Sequence, residues 1–123
     1  LTKIEDFVER YVAVWNEADA ELRRRGIAEI WAENAVYANQ GAEFSGHKEI
    51  ESAVVEAYEQ FVKNGDFVFT VAQVDVNHDA VRFTWDMVPP AGGEAASIGT
   101  QFFTLGEDGR IVRDYQFIDK VPA

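Results

Sequence analysis

The chain of 123 residues has no cysteine. That excludes disulfides, thiolate nucleophiles and cysteine-ligated metals, and it fits a reducing, cytoplasmic setting. Histidine is nearly as scarce: His47 and His78 are the two. His47 falls at the start of a helix and His78 in a turn, so both read as solvated. There is no metal-ligand spacing, no glycine-rich phosphate loop after a strand, and no Ser–His–acid set. Neither a metal nor another cofactor is therefore expected. No apolar run approaches the roughly 18 residues needed to span a bilayer. The opening Lys3-Ile4-Glu5-Asp6-Phe7 is charged and amphipathic, unlike a signal peptide. The chain starts at Leu1 rather than Met, so at least one residue is expected ahead of it. Positive charge is short: 11 Lys and Arg face 22 Asp and Glu, for a net charge of −11. A field of that sign repels phosphate backbones and anionic membranes, which argues against nucleic acid and membrane as partners. The one basic cluster, Arg23-Arg24-Arg25, sits among Glu17, Asp19, Glu21 and Glu29 and reads as a salt-bridged helix face.

Apolar side chains are plentiful. They make up 47% of the chain, with nine Phe, four Tyr and three Trp. The length fits a single domain over residues 1–123, able to bury about two-thirds of its unfolded surface. So many rings in a short chain mean either a dense core or a ring-lined cavity.

The first half reads as helices and the second as strands, the pattern of an α+β domain. Ile4, Phe7, Val8, Tyr11, Val14 and Trp15 recur at helical spacing. A second helix is predicted from Asp19, as N-cap, to Trp31, with Gly26 a point where it could kink or split. Ala35–Asn39 reads as a short strand. Ser45-Gly46 opens a third helix with Ile50, Val54, Ala57 and Phe61 buried, stopping at Asn64-Gly65. The period then switches to two. Strands are predicted over 67–76, 80–88, 97–105 and 110–119, joined by Asn77-His78-Asp79, a Pro89-Pro90 to Gly92-Gly93 loop, and Asp108-Gly109. They form an antiparallel meander.

Four segments in this order carry a resemblance over nearly the whole chain. Tyr11-Val12-Ala13-Val14-Trp15-Asn16 resembles a first-helix signature. Ile30-Trp31-Ala32-Glu33-Asn34-Ala35-Val36-Tyr37 resembles a passage into a first strand. Phe44-Ser45-Gly46-His47-Lys48-Glu49-Ile50 resembles the start of a third helix, and Asp108-Gly109-Arg110-Ile111-Val112 a turn into a last strand. Together they resemble the SnoaL-like and nuclear transport factor 2-like superfamily, relatives of ketosteroid isomerase and polyketide cyclases. The resemblance implies a cone-shaped, curved antiparallel sheet with three helices on its concave face. It also implies a pocket between the two, and a homodimer through the convex face. Function stays open, because this fold hosts several reactions and non-catalytic binders.

Strand alternation assigns faces. Val81, Phe83, Trp85 and Met87 share one face and should point inward. By the family register, so should Gly99, Gln101, Phe103 and Leu105. On the last strand Val112, Asp114, Gln116 and Ile118 lie on one face; Ile111, Arg113, Tyr115 and Phe117 lie on the other. Hydrophobicity would turn Tyr115 and Phe117 inward; the family register instead puts Asp114 and Gln116 in the pocket. Phe102, Tyr115 and Phe117 then become convex-face rings. The expected lining is Tyr11, Trp15, Trp31, Tyr37, Asn39, Phe61, Phe83, Trp85, Met87, Gln101, Phe103, Asp114 and Gln116.

Asp114 is the only carboxylate this reading puts in the pocket. Desolvation among rings would raise its pKa and suit it to acid/base work; a salt bridge or a solvated strand end would not. Tyr11 resembles the oxyanion-hole tyrosine of ketosteroid isomerases. The isomerase's catalytic-base aspartate falls at Asn39 and its second aspartate at Gln101, so that mechanism does not transfer. The cyclases' His-Trp-Asp step falls on Asp114-Tyr115-Gln116, with Asp114 replacing the histidine and Gln116 the acid. The epoxide-hydrolase set would need Arg82 or Arg113 inside. Three readings follow. One is a cofactor-independent isomerase, cyclase or lyase on a small apolar or polycyclic carbonyl- or hydroxyl-bearing substrate, with Asp114 and Tyr11 catalytic and the remaining lining residues binding it. The second is a non-catalytic receptor, and the third a dimeric scaffold filled by its own rings.

Overall fold

The computed structural model describes residues 3–122. Helix α1 spans Lys3–Asn16 and α2 spans Ala20–Ile30. They are followed by β1 (Trp31–Ala38), β2 (Glu43–Ser45) and α3 (Gly46–Ala57). Helix α3 runs on as a π-helical stretch, Tyr58–Lys63. Four long strands complete the chain: β3 (Val68–Asn77), β4 (Ala80–Val88), β5 (Ser97–Leu105) and β6 (Ile111–Lys120). They join β1 and β2 in one six-stranded sheet of order β2-β1-β6-β5-β4-β3. The sheet is mixed rather than antiparallel throughout, because β1 runs parallel to β6. From β1 the chain passes through β2 and α3 and enters the meander at β3 on the opposite edge, so that β6, the meander's last strand, returns beside β1.

Each helix is anchored locally. Asp19 caps α2 through its side chain on the Leu22 amide, 3.0 Å. Glu49 reaches back to the Ser45 amide at 2.7 Å and so closes the first turn of α3. Gly26 does not break α2. A side chain there would strike Val14, so the glycine lets α1 and α2 pack closely. The arginine cluster divides. Arg24 and Arg25 pair with Glu21, and Arg24 also with Glu51. Arg23 is instead buried; it donates to the Glu17 carbonyl at 2.7 Å and lies over the Tyr58 ring. It thereby ties the end of α1 to α3. His47 is not solvated either: its Nε2 donates to the Trp31 carbonyl at 2.6 Å.

Helix α2 stops at Ile30, and Trp31 already belongs to β1, paired with Ile111. Sheet pairing overrides the helical pattern that carried the expectation on to Trp31. At the other side of the molecule, Asn16 acts as a short strand. Its Nδ2 donates to the Phe69 carbonyl and its Oδ1 accepts from the Phe69 amide, at 2.8 and 2.9 Å. That occupies backbone groups on the edge strand β3 and fixes Phe69 under α1.

Register shifts at Val71/Gln73, Ile98/Gly99 and Thr104/Leu105 bend the long strands. The last of these corrects the sequence reading. Ile111 pairs with Leu105 and Arg113 with Thr104, so Val112 is an extra residue. The bulge puts Ile111 inside and Val112 outside, while Asp114 keeps the inward position expected of it.

Candidate functional site

Cross-strand rows organise the concave face. Tyr37, Asp114, Phe103 and Val81 form one row across β1, β6, β5 and β4. Gln116, Gln101 and Phe83 form the next. Ile118, Gly99 and Trp85 follow, and then Ser97 with Met87 and Phe69. Helix α1 closes the first rows. Its Tyr11 ring lies parallel to Phe103, edge-on to Phe83 and tilted against Trp31, with centroids 5.8, 5.1 and 5.0 Å away. The later rows stay uncovered, and a cavity of about 490 Å³ lies between them, α3 and the β1–β2 turn.

At the closed end sits a buried polar network. Asp114 is 0% exposed. Its Oδ2 accepts from the Tyr11 hydroxyl at 2.7 Å and from Trp31 Nε1 at 3.1 Å. Its Oδ1 accepts from Gln101 Nε2 at 2.8 Å. The same amide donates to the Tyr11 oxygen at 2.9 Å, and Gln101 Oε1 accepts from Trp85 Nε1 at 3.1 Å. Both indoles can only donate. They therefore fix the direction of the chain: Trp85 holds the Gln101 amide with its NH₂ toward Asp114, and every group around Asp114 offers it a proton. No cation is among its partners. Burial raises its pKa from 3.8 to about 6, against the pull of the hydrogen bonds from Tyr11, Gln101 and Trp31. Burial also pushes the Tyr11 hydroxyl well above its ordinary value, and the Asp114 charge adds to this. Tyr37 is raised for the same two reasons.

Tyr11, Trp15, Tyr37, Asn39, Phe61, Trp85, Met87, Gln101 and Gln116 all border the cavity. Trp31, Phe83, Phe103 and Asp114 do not; they pack behind Tyr11 and Gln101, which separate Asp114 from the open space. Asn39 spends its Oδ1 on the Gly41 and Ala42 amides, so it shapes the β1–β2 turn. Trp15 Nε1 is buried without a partner.

Of the wall that α3 and its π-helical stretch form, the sequence reading expected Phe61 alone. Ala53, Glu56, Ala57 and Gln60 line the cavity, and Phe61 joins them in the π-helical stretch. Glu56 is thus a carboxylate on the wall itself, exposed at the open side. Phe44 and Phe69 add rings from β2 and β3.

A family model for the SnoaL-like domain matches residues 8–114. The chain belongs to that family. A SnoaL-like protein from Agrobacterium tumefaciens strain C58, provisionally assigned as an isomerase, is 30% identical, with TM-score 0.82 over 93% of this chain and 95% of the other. A provisionally assigned polyketide cyclase from Sinorhizobium meliloti is 22% identical, with TM-score 0.70 over 95% and 100%. A ketosteroid isomerase-like protein from Catenulispora acidiphila, solved with trimethylamine, is 13% identical, with TM-score 0.65 over 90% and 83%. The last two show likeness of fold alone. No curated protein matches the chain at a significant level. Among the described residues, no helix is long and apolar enough to cross a membrane, and no group of His, Asp and Glu could hold a metal ion.

Proposed function

We propose that this SnoaL-like chain is a small-molecule pocket protein acting as a cofactor-independent isomerase, cyclase or lyase. Its substrate is apolar and bears a carbonyl or hydroxyl. One observation carries the reading: a carboxyl with no cationic partner, raised to about 6, lies one hydrogen bond behind a cavity wall. Asp114 then works through Tyr11. While Asp114 is ionised, the Tyr11 proton is committed to Oδ2. When Asp114 is protonated it can donate to the Tyr11 oxygen, and Tyr11 turns its own proton to a ligand oxygen. The ligand gains one proton, Tyr11 regains one, and Asp114 ends as a carboxylate. Glu56, on the wall and open to water, is the group placed to take a carbon-bound proton. Two carboxyls in such different surroundings suit opposite roles. Trp15 Nε1, an unsatisfied donor, suits a ligand oxygen.

The test is hydrogen exchange. Wild-type protein in ²H₂O with a panel of cyclic ketones should speed deuterium uptake next to the carbonyl, read by NMR. Tyr11→Phe and Glu56→Gln should each lower that rate about 100-fold or more, the scale of one general acid or base. Ketones that bind without exchanging would point to the receptor reading, which the complete hydrogen bonding of Asp114 favours. The size of the cavity weighs against a scaffold filled by its own rings.

The convex face supports a homodimer. Phe102, Val112 and Phe117 are 39%, 40% and 50% exposed on it. Phe102 stands opposite Tyr115, and Phe117 opposite Thr100, in one ring-rich patch across β5 and β6. A second copy would cover the patch isologously. Phe117→Glu should convert a dimer to a monomer in light scattering; a wild-type monomer at high concentration would remove the proposal.

A further inference from the structure

We infer that the cavity's ligand is an organic cation, carrying a substituted ammonium group seated against the aromatic wall and balanced by Asp114 and Glu56. This rests on the reading of the cavity as a small-molecule site and changes one part of it: the carbonyl- or hydroxyl-bearing ligand carries a cationic group on an otherwise apolar frame.

The first ground is charge. No Lys, Arg or His lines the cavity, whereas Glu56 does. Asp114 lies behind the wall with only neutral donors around it. The titratable groups facing it are Tyr11 from α1 and Tyr37 from β1. Helix α3 contributes Glu56 on the cavity side, and β4 and β5 contribute no charge. Several of the chain's own cations are engaged elsewhere: Arg23 on Tyr58, Arg24 on Glu21 and Glu51, Arg82 on Asp75, Arg110 on Asp108 and Lys120 on Glu94. The cavity is therefore a low-dielectric space beside two carboxyls and no counter-charge. It repels an anion and lowers the energy of a cation.

The second ground is the rings. Trp15, Tyr37, Phe44, Phe61, Phe69 and Trp85 line the cavity. They meet at corners: Phe69 stands edge-on to Trp85 and to Phe61, and Trp15 is tilted 52° to Tyr37. An alkylammonium seated in this space has several rings within reach of its charge.

A cation in the cavity favours ionised Asp114, so binding should strengthen as pH rises through the Asp114 titration. The experiment compares benzyltrimethylammonium with neopentylbenzene, which has the same shape and no charge. Binding is read from the fluorescence of Trp15 and Trp85. At pH 7.5 the cation should bind at least about tenfold more tightly. Its affinity should fall severalfold by pH 5 in wild type and stay flat in Asp114→Asn. If that variant does not fold, Glu56→Gln serves: the cation should weaken and the neutral isostere should not. Equal or tighter binding of neopentylbenzene overturns the cation inference and leaves the pocket reading intact. Failure of both molecules to perturb either tryptophan overturns both.

Discussion

Wild type is expected to lose about 3 kcal/mol of stability relative to Asp114→Asn between pH 3.5 and pH 7. The unfolded carboxyl titrates at its ordinary value of about 3.9, while in the folded chain it titrates at about 6. Between those values the folded state binds the extra proton, so stability falls as pH rises and levels off above the folded value. At 1.36 kcal/mol per pH unit, the difference from 3.8 to about 6 gives the quoted figure. The amide removes the titration but carries a constant cost of its own, about 1–3 kcal/mol. Its NH₂ must face either Gln101 Nε2 or the Tyr11 and Trp31 protons, and Gln101 cannot turn over without orphaning Trp85 Nε1. That cost shifts the variant's curve without changing its slope. Urea unfolding of both proteins at pH 3.5, 5 and 7 separates the two terms. Parallel curves would mean that Asp114 is not desolvated, and the acid role proposed for it would go with that result.

Such a penalty is informative because carboxyl and donors are kept together: a leucine at position 114 would hide no charge, but it would leave the Tyr11, Trp31 and Gln101 protons aimed at it without an acceptor. A buried carboxyl kept at this expense is what a site that moves protons would show.

The alternation on β4 and β5 was legible because every second residue there is large and apolar or plainly polar. Both strands have the bounds read from the sequence, 80–88 and 97–105. On β6 the alternation is broken by one residue. The bulge at Val112 reverses the phase between Ile111 and Asp114, and a bulge has no signature in composition. The inward face of Asp114 could be read; its depth could not. Depth depends on where α1 lays Tyr11 and where β1 brings Trp31, both set by pairings between distant residues. Glu56 escaped notice for a related reason. It is an ordinary charged position on an amphipathic helix until the sheet's curvature leaves a space in front of it. The π-helical stretch then adds Gln60 and Phe61 to the same wall, by widening a turn whose sequence, Tyr58–Lys63, looks regular.

Gly99→Val should destabilise the protein by about 3 kcal/mol, although valine is the better strand residue and would by itself stabilise β5 by up to about 1 kcal/mol. The reversal comes from Trp85, the cross-strand partner of Gly99. A side chain at 99 would overlap the Trp85 indole, whose Nε1 and Cζ2 lie over the glycine. The indole would have to leave its place on the sheet, at the 1–3 kcal/mol typical of overpacking. It would also lose its bond to Gln101 Oε1, worth about 1 kcal/mol. The effect should reach Asp114. With Trp85 gone, the Gln101 amide is free to turn, and Asp114 loses the fixed donor on its Oδ1. One of the bonds that hold its pKa down would disappear, so the carboxyl should titrate above the wild-type value of about 6. Thermal or urea unfolding measures the first effect and carboxyl-carbon NMR the second. Gly99→Ala should show the same two changes at smaller size, since its one carbon already meets the ring. A stable Gly99→Val protein with Asp114 titrating as in wild type would mean that the Trp85–Gln101 bond does not orient the network, and that Tyr11 and Trp31 alone define the site.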